Sequence, residues 1–445
     1  MTDRDCITRW LSEITPHDVD ATTQKHEPKT HPRKRLLPSP PMSVSISDSS
    51  HEGSPSKRRR PNSNDSNKTP TAQDKLSNLV LAQDSQSEVS SVSSISQRSG
   101  QSSPTKGIAA LRDEKLVEYA NFSGRTGVPP ELNLTVKVIK RMAGAHGIIS
   151  SQDADAFRNT TLDIGEFRHD LDHPSTLIDS SGIRLGLGQL PSIDRIVEIW
   201  EEATYCERNT LPEAAWNSAV HFPLLQAALR NARFKNSEGR QAQQDFKVKP
   251  TNISSINVAK RYIPLTPRQR HNKRIDFCIY LDVTQDSPLE EAIGRKVASS
   301  IHNSIHHIET PWLSRFPISI GIETKKTGED WHAALEQMTI WMSAHWKRLG
   351  ELTSDLDTLP FLPGLIIQGH DWFFVAATQR KILRNGGRQT VIWSKLPIGS
   401  TEGLEGICQI VAVLQYLTKW SAEVYYPWFC RAVLGIEATE SGQSL

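Results

Sequence analysis

Glu323 and Lys325 stand two residues apart in FPISIGIETKKTGED. On a strand that spacing sends both side chains off one face, with Thr324 and Lys326 pointing away. A carboxylate at the end of an apolar strand offers a hard oxygen to Mg²⁺, and a lysine beside it can orient a metal-bound water or help deprotonate it. Asp276 in KRIDFCIYLD is the second carboxylate. It opens a strand among the apolar Ile275, Phe277 and Ile279, and strand pairing would bring it beside Glu323 across 47 positions of sequence. Two carboxylates converging on one cation, a lysine next to them and the Thr324 carbonyl as a neutral ligand make the minimum apparatus for cleaving a phosphodiester with metal-activated water. Such chemistry requires the three side chains to meet in one cleft that solvent reaches.

The elements that must position them follow from periodicity. Strands are predicted at INVAKRYIP, KRIDFCIYLDV, FPISIGIET, LPGLIIQG, WFFVAATQ and TVIWSKLPIG, each rich in β-branched or aromatic residues and bounded by Gly, Pro or Asp. Helical spacing marks LEEAIGRKVASSIHNSI, EDWHAALEQMTIWMSAHWKRL and GLEGICQIVAVLQYLTKW, with a last amphipathic stretch at VYYPWFCRAVLG. Upstream, RDEKLVEYANF and LNLTVKVIKRMAG read as lead-in helices, and the glycines of GIRLGLGQLPS read as loop. A helix then runs through IVEIWEEATYC and another from about Leu211 to Arg233, bent or interrupted at Pro223. Helices before, among and after a mixed sheet predict an α/β domain.

Composition places this domain in the later part of the chain. Of the 445 residues, only Trp10 among the aromatics precedes Tyr119. Residues 20 to 105 are dominated by Ser, Thr, Pro, Gln, Asn, Lys and Asp and cannot bury enough apolar area to offset chain entropy, which predicts a disordered tail over 1–110. The tail carries 15 basic and 12 acidic side chains against 37 and 38 in the remainder. Nucleic-acid contact by the body must therefore come from local clustering rather than net charge. The densest such cluster is Lys260, Arg261, Arg268, Arg270, Lys273 and Arg274, just before Asp276; it reads equally as a phosphate-contacting segment and as a solvated loop. Within the tail, Arg33, Lys34 and Arg35, then Lys57, Arg58, Arg59 and Arg60, suit the acidic groove of a nuclear import receptor, and Ser39, Ser54 and Ser103 precede prolines. Five scattered cysteines without a Cys-x-x-Cys pair argue against a disulfide framework or zinc ribbon. With no apolar run of roughly 18 residues and no signal-peptide core, the sequence predicts an intracellular protein without a membrane span, in the nucleus first and the cytoplasm second.

The order Asp276, then Glu323-x-Lys325, then a helix carrying Gln337 resembles the PD-(D/E)XK nuclease superfamily. The likeness is closest to its fungal nuclease-like members and covers roughly residues 190 to 435. It implies a restriction-endonuclease-like fold, a mixed central sheet flanked by helices, over 191–440, with 111–190 as helical lead-in and loop. It further implies metal binding by Asp276 and Glu323 and assistance by Lys325, with Mg²⁺ as cofactor and Mn²⁺ as a substitute. Gln337, followed by Trp341, stands where RecB-like members place a glutamine that can hold a phosphate or a metal-bound water; it reads equally as a polar residue at the edge of an amphipathic helix. Glu213 resembles the acid many members present from their first core helix as a further metal ligand, and it is also a carboxylate of the kind helix starts favour. Two features depart from the pattern: Ile275 stands where the naming proline would be, and an insertion from about Ser287 to Trp312 separates the motif strands.

Other signals carry less. His302, His306 and His307 include an i, i+4 pair but no adjacent glutamate, and read as a surface cluster rather than a zinc site. His370 and Asp371 read as a turn. Trp341 and Trp346 read as packing residues rather than base-stacking platforms. The sequence thus predicts a Mg²⁺-dependent nuclease acting on nucleic acid, DNA ahead of RNA. The alternative is a nuclease-fold module that binds nucleic acid or protein without turnover.

Overall fold

The apolar runs of the second half of the chain pair into one mixed sheet. The computed structural model describes residues 104–123, 127–172, 176–232, 247–264, 273–283, 287–300, 302–382 and 387–436. Residues 1–103 of the predicted tail, with its basic clusters and Ser-Pro sites, and Arg268 and Arg270, lie outside the described residues; residues 104–110, predicted as tail, are helical instead.

In chain order the helices are α1 (Pro104–Asp113), α2 (Pro130–Ala143), α3 (Ser151–Asn159), α4 (Glu166–Asp172), α5 (Ile183–Leu187) and α6 (Ile193–Arg208). A composite helix, α7, starts at Glu213–Trp216, passes through a π-turn at Asn217–His221 and resumes at Phe222–Arg230. After it come α8 (Ser287–Ser299), α9 (Trp331–Leu352) and α10 (Leu404–Trp420). The strands are β1 (Val117–Asn121), β2 (Ile149–Ser150), β3 (Ile178–Asp179), β4 (Lys247–Asn252), β5 (Phe277–Asp282), β6 (Ile318–Lys325), β7 (Leu362–Gln368), β8 (Asp371–Lys381) and β9 (Arg388–Ser400). Seven of them form the main sheet in the order β1-β9-β8-β7-β6-β5-β4, and β2 pairs only with β3.

β6 and β7 are parallel, so the chain must cross over between them, and the 22 residues of α9 supply that crossover. The Asp330 side chain caps its first turn by accepting from the His332 amide. α9 lies close on the sheet because two strand positions lack a Cβ. The Trp341 indole nitrogen stands where a side chain at Gly321 would begin, and Met342 Cε lies 2.5 Å from the corresponding point at Gly364. On β9 the packing partner is α10, buried continuously from Ile407 to Trp420, as expected of a helix apolar on every side. β4 is an edge strand, which is why Pro250 can occupy it opposite Ile279 without breaking an interior ladder.

The α/β class and the helix-flanked mixed sheet agree with the sequence, while several local readings do not. RDEKLVEYANF is not one helix: α1 ends at Asp113, Lys115 takes a positive φ of 54°, and VEYAN becomes β1, parallel to β9. INVAKRYIP is not a strand; it holds a lone bridge from Val258 to Ile308 and a 3-10 turn at Lys260–Tyr262. GIRLGLG contains the short α5, anchored by the buried Arg184, whose Nε donates to the Ile148 carbonyl. β4 carries no strand pattern in the sequence, because KVKPTN is polar and held only along an edge. α8 stops at Ser299, and His306 and His307 turn inward, 2 % and 0 % exposed, so the surface-histidine reading fails. Trp341 and Trp346 are buried packing residues.

Candidate active site

Register brings the motif together. β5 runs antiparallel to β6 with Phe277 opposite Ile322, so Asp276, the residue just before β5, meets the end of β6 where Glu323 and Thr324 stand. The backbone on either side of that position is pinned: the Asp276 amide donates to the Ile322 carbonyl at 3.2 Å, and the Asp276 carbonyl accepts from Ile253 at 2.7 Å. Asp276 Oδ2 accepts two bonds from Thr324, from its amide and its hydroxyl, each at 2.9 Å. The Thr324 side chain therefore does not simply point away; it fixes the aspartate.

Lys325 closes the cluster. Its Nζ donates to Glu323 Oε1 at 2.5 Å and to the Thr324 carbonyl at 2.7 Å, and lies 3.4 Å from Glu213 Oε2. Burial works against its charge, but Glu323 and Glu213 outweigh that and hold Lys325 above the ordinary lysine value. It is an ammonium, a donor that can orient a water rather than a base that removes its proton. Glu323 is completely buried, and burial pushes its carboxyl well up against the pull of Lys325, with Asp276 and Glu213 adding like-charge repulsion. Burial also raises Glu213, opposed by Lys325.

Glu323 Oε2 is buried without a hydrogen-bond partner among the described residues. An orphaned carboxylate oxygen is expensive, and a water or a cation bound there satisfies it. The donors here are hard oxygens on Asp276 and Glu323 with the Thr324 carbonyl adjoining, which fits Mg²⁺ or Mn²⁺. Among the described residues no group of three or more His, Cys, Asp or Glu could hold a metal ion. The fit is thus to an ion that keeps much of its water, as Mg²⁺ does.

Gln337 is not part of this cluster. Its amide donates to the Arg274 carbonyl at 3.1 Å, two residues before Asp276, and braces the entry to β5. Of the basic stretch, Lys260, Arg261 and Arg274 are exposed, whereas Lys273 pairs with Glu336 at 3.0 Å.

Asn217, His221 and Gly369, which the sequence does not single out, complete the frame. Glu213, Asn217 and His221 recur every fourth position of α7, and His221 Nε2 lies 2.9 Å from the Gly369 carbonyl. That carbonyl can only accept, so Nε2 carries the proton. Nδ1 lies 2.9 Å from Asn217 Oδ1, and a neutral ring is satisfied there when the Asn217 side-chain amide is turned to present its NH2. Burial lowers His221 to about 4, so the ring is neutral. The Gly369 amide in turn donates to the Lys325 carbonyl at 2.8 Å. Gly369 has a φ of 56°, and a side chain there would meet the Thr327 hydroxyl. One helix therefore holds Lys325 at both ends, the ammonium through Glu213 and the backbone through His221 and Gly369. The spacing was visible in PEAAWNSAVHF; the π-turn that opens the helix, a feature frequent at functional sites, was not.

Among the described residues no helix is long and apolar enough to cross a membrane. Neither the curated proteins nor the solved structures contain a match to this chain. A family profile of the PD-(D/E)XK nuclease superfamily matches residues 153–426, more than half of the sequence and all of the cluster just described. With that match and this sheet, the chain belongs to the PD-(D/E)XK nuclease superfamily.

Proposed function

We propose that this protein hydrolyses phosphodiester bonds of nucleic acid, DNA ahead of RNA, with Mg²⁺ as cofactor. The observation that carries the reading is the Lys325 ammonium bonded to Glu323 beside Thr324, the residue that holds Asp276, with the second Glu323 oxygen lacking a partner among the described residues. Asp276 and Glu323 would hold the ion, which when bound polarises the phosphoryl oxygens and makes its water nucleophilic near neutral pH. Thr324 keeps Asp276 in place through two hydrogen bonds. Lys325 presents an ammonium proton to the attacking water or to a phosphate oxygen, and Glu213 restrains that ammonium. The exposed Lys260, Arg261 and Arg274 stand where the chain leads into β5 and supply sequence-independent backbone contacts. The basic run from Lys57 to Arg60 supports a nuclear location.

The test is cleavage of labelled DNA and RNA in Mg²⁺ by the full chain, Glu323→Ala and Lys325→Ala. The reading requires activity in the first and its loss in both variants; equal cleavage by all three overturns it.

A second reading, a nuclease-fold module that binds without turnover, is favoured by one observation: Glu323 is 0 % exposed and the Lys325 side chain only 12 %. In that case the three charges are a closed ion-paired cluster. Calorimetric titration with Mg²⁺ separates the two, because an active site must take up the ion and a closed cluster need not.

A further inference from the structure

Glu323 on β6 is in register with Ile366 on β7, and Ile366 with Phe373 on β8. Residues directly opposite in a sheet share a face, so Phe373 lies on the face of Glu323, two strands across, at about 10 Å. Unlike Ile366 it is only half-buried. Trp331, also half-buried and the first residue of α9, meets Phe373 edge to face with ring centroids 5.1 Å apart. Lys395 holds its ammonium 4.9 Å from the centre of the Trp331 ring.

The way Lys395 reaches that ring is unusual. Phe374 pairs with Leu396 while Ala376 pairs with Trp393, so β9 carries one residue more than β8 at this point. Lys395 sits in the resulting bulge with φ of 70°. Bulges re-aim side chains beside active sites, and the left-handed position within them is ordinarily given to glycine. A lysine held there is strained. It is exposed, and no ion pair engages it among the described residues. Packing does not call for this arrangement; a ligand with a flat ring and a negative charge does.

We propose that Trp331, Phe373 and Lys395 form a nucleobase-binding subsite for a single strand whose scissile phosphate lies at Glu323 and Lys325. This rests on the nuclease reading and deepens it. The base stacks on Trp331 and displaces the Lys395 ammonium to the adjoining phosphate, while the exposed Lys326 at the end of β6 lies along the same path. A duplex keeps its bases stacked inside and offers none to this platform, so the subsite selects single strands or frayed ends.

The test measures binding of the full chain to a short fluorescein-labelled single-stranded DNA, to the same strand with abasic sites, and to an RNA of the same sequence. All are read in EDTA so that nothing is cleaved. The unmodified protein is expected to bind the intact DNA about tenfold more tightly than the abasic strand. Trp331→Ala is expected to bind the two alike, and Trp331→Phe to keep the preference. Lys395→Gly is expected to melt at a higher temperature yet bind every strand more weakly. Retained discrimination in Trp331→Ala, or unchanged binding by Lys395→Gly, overturns the subsite. The RNA arm shows whether the base comes from DNA alone or from either nucleic acid. If no strand binds the unmodified protein, the subsite falls, and the nuclease reading falls with it only where Mg²⁺-dependent cleavage is absent as well. If the abasic strand binds equally well while Mg²⁺-dependent cleavage is present, the subsite alone falls.

Discussion

Lys325 Nζ lies 2.5 Å from Glu323 Oε1, yet the second oxygen of the same carboxylate has no hydrogen-bond partner among the described residues. The ammonium therefore neutralises only part of what the cluster buries. Asp276, Glu323 and Glu213 are three acids around one lysine, and burial with mutual repulsion raises Glu323.

That imbalance predicts how the protein responds to metal. Without a divalent ion, Glu323→Gln removes a buried carboxylate and keeps an oxygen that can accept from Lys325, so the variant should match or exceed the unmodified protein in stability by about 1–2 kcal/mol. Mg²⁺ binds only the folded state, so it should raise the melting temperature of the unmodified protein and leave Glu323→Gln unmoved. Thermal melts in EDTA and in Mg²⁺ check both halves. A variant that is less stable in EDTA would mean that the charge of Glu323 is needed to hold Lys325.

Lys325→Met takes away the cation and leaves the acids facing one another. Removing one member of a buried pair costs about 3–5 kcal/mol. Adding Glu323→Gln to it should recover part of the loss, because the charge left behind is then gone. A double-mutant cycle in urea reads the coupling between the two positions, and additive effects would show that they do not interact.

His221 acts on Lys325 only through Gly369, so its substitution should separate placement from chemistry. His221→Ala removes the donor to the Gly369 carbonyl and a buried ring, which should lower stability by about 2–4 kcal/mol and slow cleavage well beyond any change in DNA affinity. His221→Gln, which keeps a donor, should recover part of the rate. Rate constants at saturating DNA, measured below the melting temperature of each variant, make the comparison. Equal rates in all three would leave His221 a packing residue.

How much of this was legible in the sequence depends on which forces set each element. ISIGIETK reads as a strand because its Ile residues fill a buried face, and the meeting of Asp276 with the Glu323–Lys325 end of β6 follows once KRIDFCIYLD is read as its neighbour. VEYAN and KVKPTN are strands only because the sheet offers them an edge, at β9 and β5, and no local pattern announces such an edge. INVAKRYIP has the composition of a strand, but its backbone bonds go elsewhere: Ala259 donates to the His307 carbonyl and Val258 to that of Lys273. The long segment between the motif strands could not be placed without knowing that its histidines supply core. Gln337 was drawn toward the site by its distance from Lys325, whereas its helix phase aims it at the Arg274 carbonyl.

Those inward histidines set the acid limit of the fold. His307 stacks on His345 with ring centroids 4.8 Å apart and meets Trp341 edge-on at 4.2 Å, and both of its ring nitrogens lack a hydrogen-bond partner among the described residues. Burial lowers His306 to about 4 and His345 to about 3, takes His307 well below its ordinary value, and brings His221 to about 4. Each ring is neutral when folded and takes a proton near pH 6.5 when unfolded. The unfolded chain thus binds more protons below that pH, so stability is full above about 6.5 and falls as pH drops toward 4, by about 1.4 kcal/mol per pH unit for each histidine involved. His307→Leu removes one such proton together with two unpartnered nitrogens while keeping an apolar side chain. It should flatten the decline by one proton and leave the stability at pH 8 equal or higher. Urea midpoints between pH 8 and pH 4 measure the slope, and a decline as steep as that of the unmodified protein would show that His307 is not among the groups that titrate on unfolding.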